Sequence, residues 1–155
     1  MDSLNDLTAA DIMQPNVITI KENASVEDLA KLLARKKIGG VPVVDDQNRI
    51  VGIVTESDLV AVDADIHFPH YIELLGNIIY LESVKKYEER LQKAAAVQVG
   101  EMMTRKVITV QKDAPLNEIA TVMTDHRINR LPVVEGDILV GIITRADVVR
   151  AMAKG

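Results

Sequence analysis

The sequence says the same thing twice. Val17-Ile18-Thr19-Ile20 returns ninety positions later as Val107-Ile108-Thr109-Val110. At the same offset Met13 returns as Met103, Ala24 as Ala114, Ala30 as Ala120 and Ile38 as Ile128, and Val41-Pro42-Val43-Val44 becomes Leu131-Pro132-Val133-Val134. One residue then drops from a turn, so that Val51-Gly52-Ile53-Val54-Thr55 matches Val140-Gly141-Ile142-Ile143-Thr144 and Asp58 falls on Asp147. A chain built this way folds as two like units, and whatever chemistry it carries should also occur twice.

Each copy has the same local grammar. A short β-branched run (Val17 to Ile20) leads into an amphipathic helix from about Ser25 to Lys36, with Val26, Leu29, Leu32 and Leu33 on one side. Ser25 and Asp28 form a capping-box pair. In the second copy Asp113 is expected to cap, with Pro115 near the first turn, where its missing N–H costs little. Two apolar strands follow, joined by Asp45–Arg49 in one copy and Glu135-Gly136-Asp137 in the other, which is a hairpin pattern. A second helix is expected to start at Thr55 and at Thr144. One such unit leaves an apolar sheet face uncovered, and with 48% apolar residues the chain can bury it against the second unit. The expected fold is α+β, a pseudo-twofold pair of βαββα repeats, with repeat one over residues 1–60, a helical insert over 61–99 and repeat two over 100–155.

The insert holds all four aromatics, Phe68, Tyr71, Tyr80 and Tyr87. From Tyr71 to Ala95, Leu74, Ile78, Leu81, Val84, Tyr87 and Leu91 recur at spacings of three and four, which predicts helix. It reads either as a helical hairpin packed on its own module or, because aromatics concentrate at contact surfaces, as a partner surface.

Composition removes several classes of function. With no cysteine there is no disulfide, thiolate nucleophile or cysteine metal site. A net charge of −5 disfavours nucleic acid, whose phosphates call for a basic surface. Met1 to Asp6 lack a basic signal-peptide start, and the apolar run Ile72–Leu81 is too broken and short for a membrane span, so no membrane partner and a cytoplasmic location are expected. His67-Phe68-Pro69-His70 holds two of three histidines, but Pro69 and the absence of a nearby carboxylate pair argue against a metal. Neither Gly-x-Ser-x-Gly nor Gly-x-x-x-x-Gly-Lys occurs, and His126 stands without a nucleophile. No catalytic residue is assigned and no enzyme is expected.

The chemistry concentrates at Gly-h-h-Thr-x-x-Asp (h, apolar), written once from Gly52 to Asp58 and again from Gly141 to Asp147. Thr closes a strand and opens a helix whose first N–H groups lack partners and whose dipole favours an anion. The Asp carboxylate, one turn in, is an acceptor suited to both hydroxyls of a ribose. The same spacing also makes a helix cap, the first reading of a single Thr-x-x-Asp. Two copies, each behind a strand in a duplicated frame, favour a ligand.

On these motifs the chain resembles a tandem pair of cystathionine-β-synthase (CBS) domains, a Bateman module, over about residues 9–60 and 99–151. That resemblance implies two clefts between the copies that take AMP, ADP, ATP or S-adenosylmethionine as a regulatory ligand, assembly as a flat homodimer, and signalling to an effector protein. Carried onto this chain, one cleft would use Thr144 and Asp147 for ribose and phosphate, Arg130 for phosphate, and Met13, Ile18 and Ile38 around the base. The other would use Thr55 and Asp58 with Met103, Ile108 and Ile128, and has Gly40 where the first has Arg130. Lys36 and Lys37 are alternative sources of charge there. The asymmetry predicts that a phosphorylated adenosine binds first at Asp147. Leu59, Val60, Val148, Val149 and Met152 are the apolar residues expected to serve the dimer. With no effector domain on the chain, the readout is expected in trans. The rival reading is a ligand-free interaction and dimerisation module.

Overall fold

A computed structural model of the chain describes residues 6–66, 71–74, 77–80 and 97–154. Helix α1 (Ala9–Ile12) and strand β1 (Ile20–Lys21) precede helix α2 (Val26–Lys36), strands β2 (Gly40–Val44) and β3 (Ile50–Thr55), and helix α3 (Glu56–Ile66). After a hairpin of β4 (Tyr71–Leu74) and β5 (Asn77–Tyr80), the order repeats: α4 (Val99–Met102), β6 (Val110–Gln111), α5 (Leu116–Asp125), β7 (Arg130–Glu135), β8 (Ile138–Thr144) and α6 (Arg145–Lys154). The three sheets are ordered β1-β2-β3, β4-β5 and β6-β7-β8. This is the α+β duplication that the repeat demands.

Local chemistry explains most boundaries. Ser25 caps α2: its hydroxyl accepts the Asp28 N–H at 3.0 Å, and the Asp28 carboxylate accepts the Ser25 N–H in return. At α5 the cap position is Pro115, with no side-chain cap, and not the expected Asp113. Proline's fixed φ sets the entry angle and it has no N–H to satisfy. In the first hairpin turn the Asp45 carboxylate accepts the Gln47 and Arg49 N–H groups at 2.9 Å each, and Asn48 takes the left-handed conformation that asparagine tolerates. The β-branched runs at 17–20 and 107–110 pair only at their ends, as the two-residue strands β1 and β6.

The insert departs from expectation. Tyr71–Leu74 and Asn77–Tyr80 pair as antiparallel strands, with Tyr71 opposite Tyr80 and Leu74 opposite Asn77, where helix was expected. The three-and-four spacing there is outweighed by Tyr, Ile, Ile, Ile and Tyr, whose stiff or broad side chains favour strands, and by a Gly-Asn pair that interrupts the run. Helix α3 does carry the first insert residues to Ile66. The rest of the predicted helix (81–95), with Tyr87, and the His67–His70 segment lie outside the described residues.

The compact units cut across chain order. One contains Met1–Thr19, Val44–Gly52 and Arg105–Gly155; the other contains Ile20–Val43 and Ile53–Thr104. The cause is an exchange of entry helices. The Ala9 and Ala10 N–H groups at the start of α1 donate to Ala114 O and Lys112 O, both at 2.9 Å, while Val99 and Gly100 at the start of α4 donate to Ala24 O and Glu22 O, both at 2.8 Å. A Cβ at Gly100 would approach Glu22 O to 3.1 Å, so this docking favours glycine. The hairpin tip joins the first unit as well, because Ile50 N donates to Asp137 O and Leu139 N to Asn48 O. The core of that unit gathers Ala9, Ile119, Leu131, Val133 and Ile143, with Met13, Ile108 and Ile128 packed against it. In the other unit Leu29, Val41, Val43, Val54 and Val99 are fully buried.

Candidate functional site

Strand β8 ends at Thr144 and helix α6 begins at once, which sets Asp147 in the first turn facing back toward the strand end. Its Oδ2 accepts the Thr144 N–H at 2.8 Å and the Thr144 hydroxyl at 3.0 Å. Its Oδ1 accepts Gln14 Nε2 at 3.0 Å and Arg150 Nη2 at 2.8 Å. The residue is only 4% exposed. Burial pushes its carboxyl pKa up. The Thr144 N–H, then Gln14, the Thr144 hydroxyl and the Arg150 charge outweigh burial and hold it below the ordinary aspartate value.

Three further residues complete the setting. In the β7–β8 ladder Arg130 stands directly opposite Thr144, which places both side chains on one face of the sheet, as directly opposed cross-strand residues are. Gln14 is fixed by a two-way backbone bridge, its N–H donating to Ile142 O at 2.8 Å and its carbonyl accepting the Ile142 N–H at 3.0 Å. Met13 lies over Gly141, where a Cβ would run into its side chain, so the glycine of the motif is what admits it. Beside these groups, between α1 and α6, opens a cleft of about 410 Å³ whose lining includes Asp11, Ile12, Gln14, Asp147, Arg150 and Lys154.

The first repeat builds the same corner more sparsely. Asp58 Oδ2 accepts the Thr55 N–H at 2.9 Å and the Thr55 hydroxyl at 3.3 Å. Thr104 takes the bridge position of Gln14, exchanging backbone hydrogen bonds with Ile53 at 2.9 Å each way. The residue matching Arg150 is Ala61, and the one matching Arg130 is Gly40. Gly40 is tightly enclosed: a Cβ there would meet Thr55 Cγ2 at 3.0 Å and Val54 O at 3.1 Å.

The expected residues divide between the compact units. Met13, Ile18, Ile108, Ile128, Arg130, Thr144 and Asp147 belong to one, and Ile38, Thr55, Asp58 and Met103 to the other. Both Thr-x-x-Asp motifs form the helix cap, and Met13 joins Asp147 through the bridge at Gln14. Gln14 and Arg150 were not among the residues expected from sequence. Arg150 carried a readable signal, an i,i+3 opposite-charge pair with Asp147 on one helix. Gln14 carried none, since its contact spans 133 positions.

Elsewhere in that unit a groove of about 380 Å³ runs along α5 and α6, lined in part by Met123, Val148, Val149 and Met152. Val149 and Met152 are 65% and 57% exposed, and Val60 on α3 is also exposed. Val148 is not available as expected: it is buried in the core of its unit, because the α6 face that carries Asp147, Val148 and Ala151 turns inward. Among the described residues no helix is long and apolar enough to cross a membrane, and no three His, Asp or Glu side chains gather as metal ligands.

The family model of the CBS domain matches residues 9–65 and 99–154. The chain is 33% identical over 151 residues to MJ1426 of Methanocaldococcus jannaschii, covering 92% of this chain and 89% of that one. It is 33% identical over 149 residues to the chloroplastic CBS domain-containing protein CBSX2 of Arabidopsis thaliana, covering 93% of this chain but only 63% of CBSX2. The crystal structure of CBSX2 in complex with AMP superposes with a TM-score of 0.72 at 31% identity, covering 95% of this chain and 96% of that one. The CBS domain pair of MJ0100, in complex with 5-methylthioadenosine and S-adenosyl-L-methionine, superposes with a TM-score of 0.69 at 28% identity, covering 96% and 97%.

Proposed function

The chain belongs to the CBS domain family, and from that premise we propose that it is a regulatory module which binds an adenosine nucleotide, or S-adenosylmethionine, at its two Thr-x-x-Asp corners and signals to a partner protein in trans. The observation that carries this reading is the second-repeat corner. A carboxylate kept ionised by its neighbours lies against a helix start, with an arginine one strand across. An ionised carboxylate receives a ribose diol; a helix start and a guanidinium receive phosphate. The AMP bound to CBSX2 and the adenosine compounds bound to the MJ0100 pair share that adenosine. Within its own compact unit, each corner has a methionine to offer the base, Met13 beside Asp147 and Met103 in the unit of Asp58.

The module has no catalytic role and acts as a homodimer in the cytoplasm. Exposed Val149 and Met152, in the groove along α5 and α6, support the dimer, as does exposed Val60 on α3, since large exposed apolar side chains gain from being covered. A ligand regulates by binding one conformation more tightly than another, and the effector reads that difference. The test is thermal unfolding against a panel of AMP, ADP, ATP, S-adenosylmethionine and GMP. Binding to the folded state alone raises the midpoint with ligand concentration. A concentration-dependent rise with at least one adenosine compound and none with GMP is expected; a flat response to the whole panel would leave the ligand-free interaction module as the better reading.

A further inference from the structure

A carboxylate has about four lone-pair directions in which to accept hydrogen bonds. At Asp147 four donors already lie within 3.0 Å: the Thr144 N–H and hydroxyl on Oδ2, and Gln14 Nε2 and Arg150 Nη2 on Oδ1. A ribose diol brings two more. Two of the present donors must therefore leave, and they are not equally free to go. The Thr144 pair is the cap of α6, a backbone N–H and a hydroxyl three residues away in the same turn. Gln14 and Arg150 are exposed side chains, and the arginine is 61% exposed, so both can turn into water at small cost. The backbone of Gln14 stays bridged to Ile142 while its amide swings away.

At Asp58 the corresponding pair is absent. Thr104 and Ala61 replace Gln14 and Arg150, and among the described residues no donor is recorded on Asp58 Oδ1. We infer that Gln14 and Arg150 form a clasp that occupies the ribose-binding oxygen of Asp147, so that a nucleoside at the second-repeat corner competes with an internal partner while one at Asp58 does not. This rests on the adenosine reading above and adds a device to it. Arg130 draws phosphate to the Asp147 corner, and the clasp holds back the ribose. A nucleoside without phosphate then prefers Asp58 and binds Asp147 only weakly, whereas a phosphorylated one gains enough from Arg130 to open Asp147 readily.

The experiment titrates adenosine and AMP calorimetrically into an Asp58→Ala background, which leaves Asp147 as the corner under study. Arg150→Ala, Gln14→Ala and the double variant are compared with that background. Each single change is expected to tighten adenosine by about two- to fivefold and the double change by about tenfold, the size of an exposed ion pair and a charge-assisted hydrogen bond. AMP tightens by the same factor, because the clasp competes for ribose and not for phosphate. Two separate exposed positions keep the test sound if one substitution perturbs folding, and circular dichroism checks each. Unchanged or weakened adenosine binding overturns the clasp, and a loss confined to AMP on removing Arg150 reassigns that arginine to phosphate. Failure of adenosine and AMP to bind any variant, and also to bind the unmodified chain, rejects the adenosine reading and the clasp with it.

Discussion

Removing either motif aspartate should cost stability, but unequally, because the two make different numbers of contacts. Asp58→Ala deletes a helix cap made to Thr55 alone, worth about 1 kcal/mol. Asp147→Ala deletes the equivalent cap and also two donors on Oδ1, from a carboxylate that is nearly fully buried. The Arg150 pair adds little by itself, because the arginine is mostly exposed and its charge is screened, and Gln14 can recover a bond to water. Together these bring the loss to about 2 kcal/mol. In a chain of this length 1 kcal/mol moves the melting midpoint by about 2–4 °C, so about 4–8 °C is expected for Asp147→Ala against about 2–4 °C for Asp58→Ala. Thermal unfolding without ligand reads this directly. A double-mutant cycle with Arg150→Ala should give a coupling below about 1 kcal/mol that shrinks further in high salt. An Asp58→Ala loss equal to or above that of Asp147→Ala would refute the accounting.

Acid should remove part of the Asp147 contribution. Its folded pKa lies below the unfolded value of about 3.9, so its stabilisation is complete above that value and is lost as pH falls through the folded pKa. The difference in urea midpoint between the parent and Asp147→Asn should be constant near neutrality and shrink below about pH 4; a difference that persists unchanged to pH 2 would contradict this. Arg130→Ala should weaken AMP by about ten- to a hundredfold while sparing adenosine, as for loss of a charge-assisted phosphate contact, and equal losses for both ligands in calorimetry would refute the phosphate role. Val149→Glu with Met152→Glu should convert a dimer to the 17.0 kDa monomer in light scattering; a parent that is already monomeric at tens of micromolar would dispose of the assembly.

Much of this architecture was legible because duplication repeats its own punctuation. The strand pairs, the Ser25 cap and the helix starts after Thr55 and Thr144 all rest on residues within a few positions of one another. What escaped was long-range or context-dependent. Nothing local says that α1 docks on Lys112 and Ala114, or that Gln14 meets Asp147, since these contacts join distant segments of the chain. The insert was misread for another reason: Leu74 and Ile78 satisfy a helical spacing, yet they stand in a run whose Tyr and Ile side chains favour strands, and antiparallel pairing of Tyr71–Leu74 with Asn77–Tyr80 settled it as a hairpin. Val148 lost its expected place at the surface because α6 turns inward the face that also carries Asp147.

The central claim is that adenosine is recognised through the two motif carboxylates, and the most direct measurement is equilibrium binding of AMP to the parent and to Asp58→Asn/Asp147→Asn. Asparagine keeps the shape of each corner, yet it replaces an acceptor oxygen with a donor that a ribose hydroxyl cannot use in the same way. Saturable AMP binding to the parent, and its loss by at least about tenfold in the folded double variant, is the result expected from removing charge-assisted contacts. AMP binding of equal strength in parent and double variant would contradict the claim and return both Thr-x-x-Asp motifs to the role of helix caps alone.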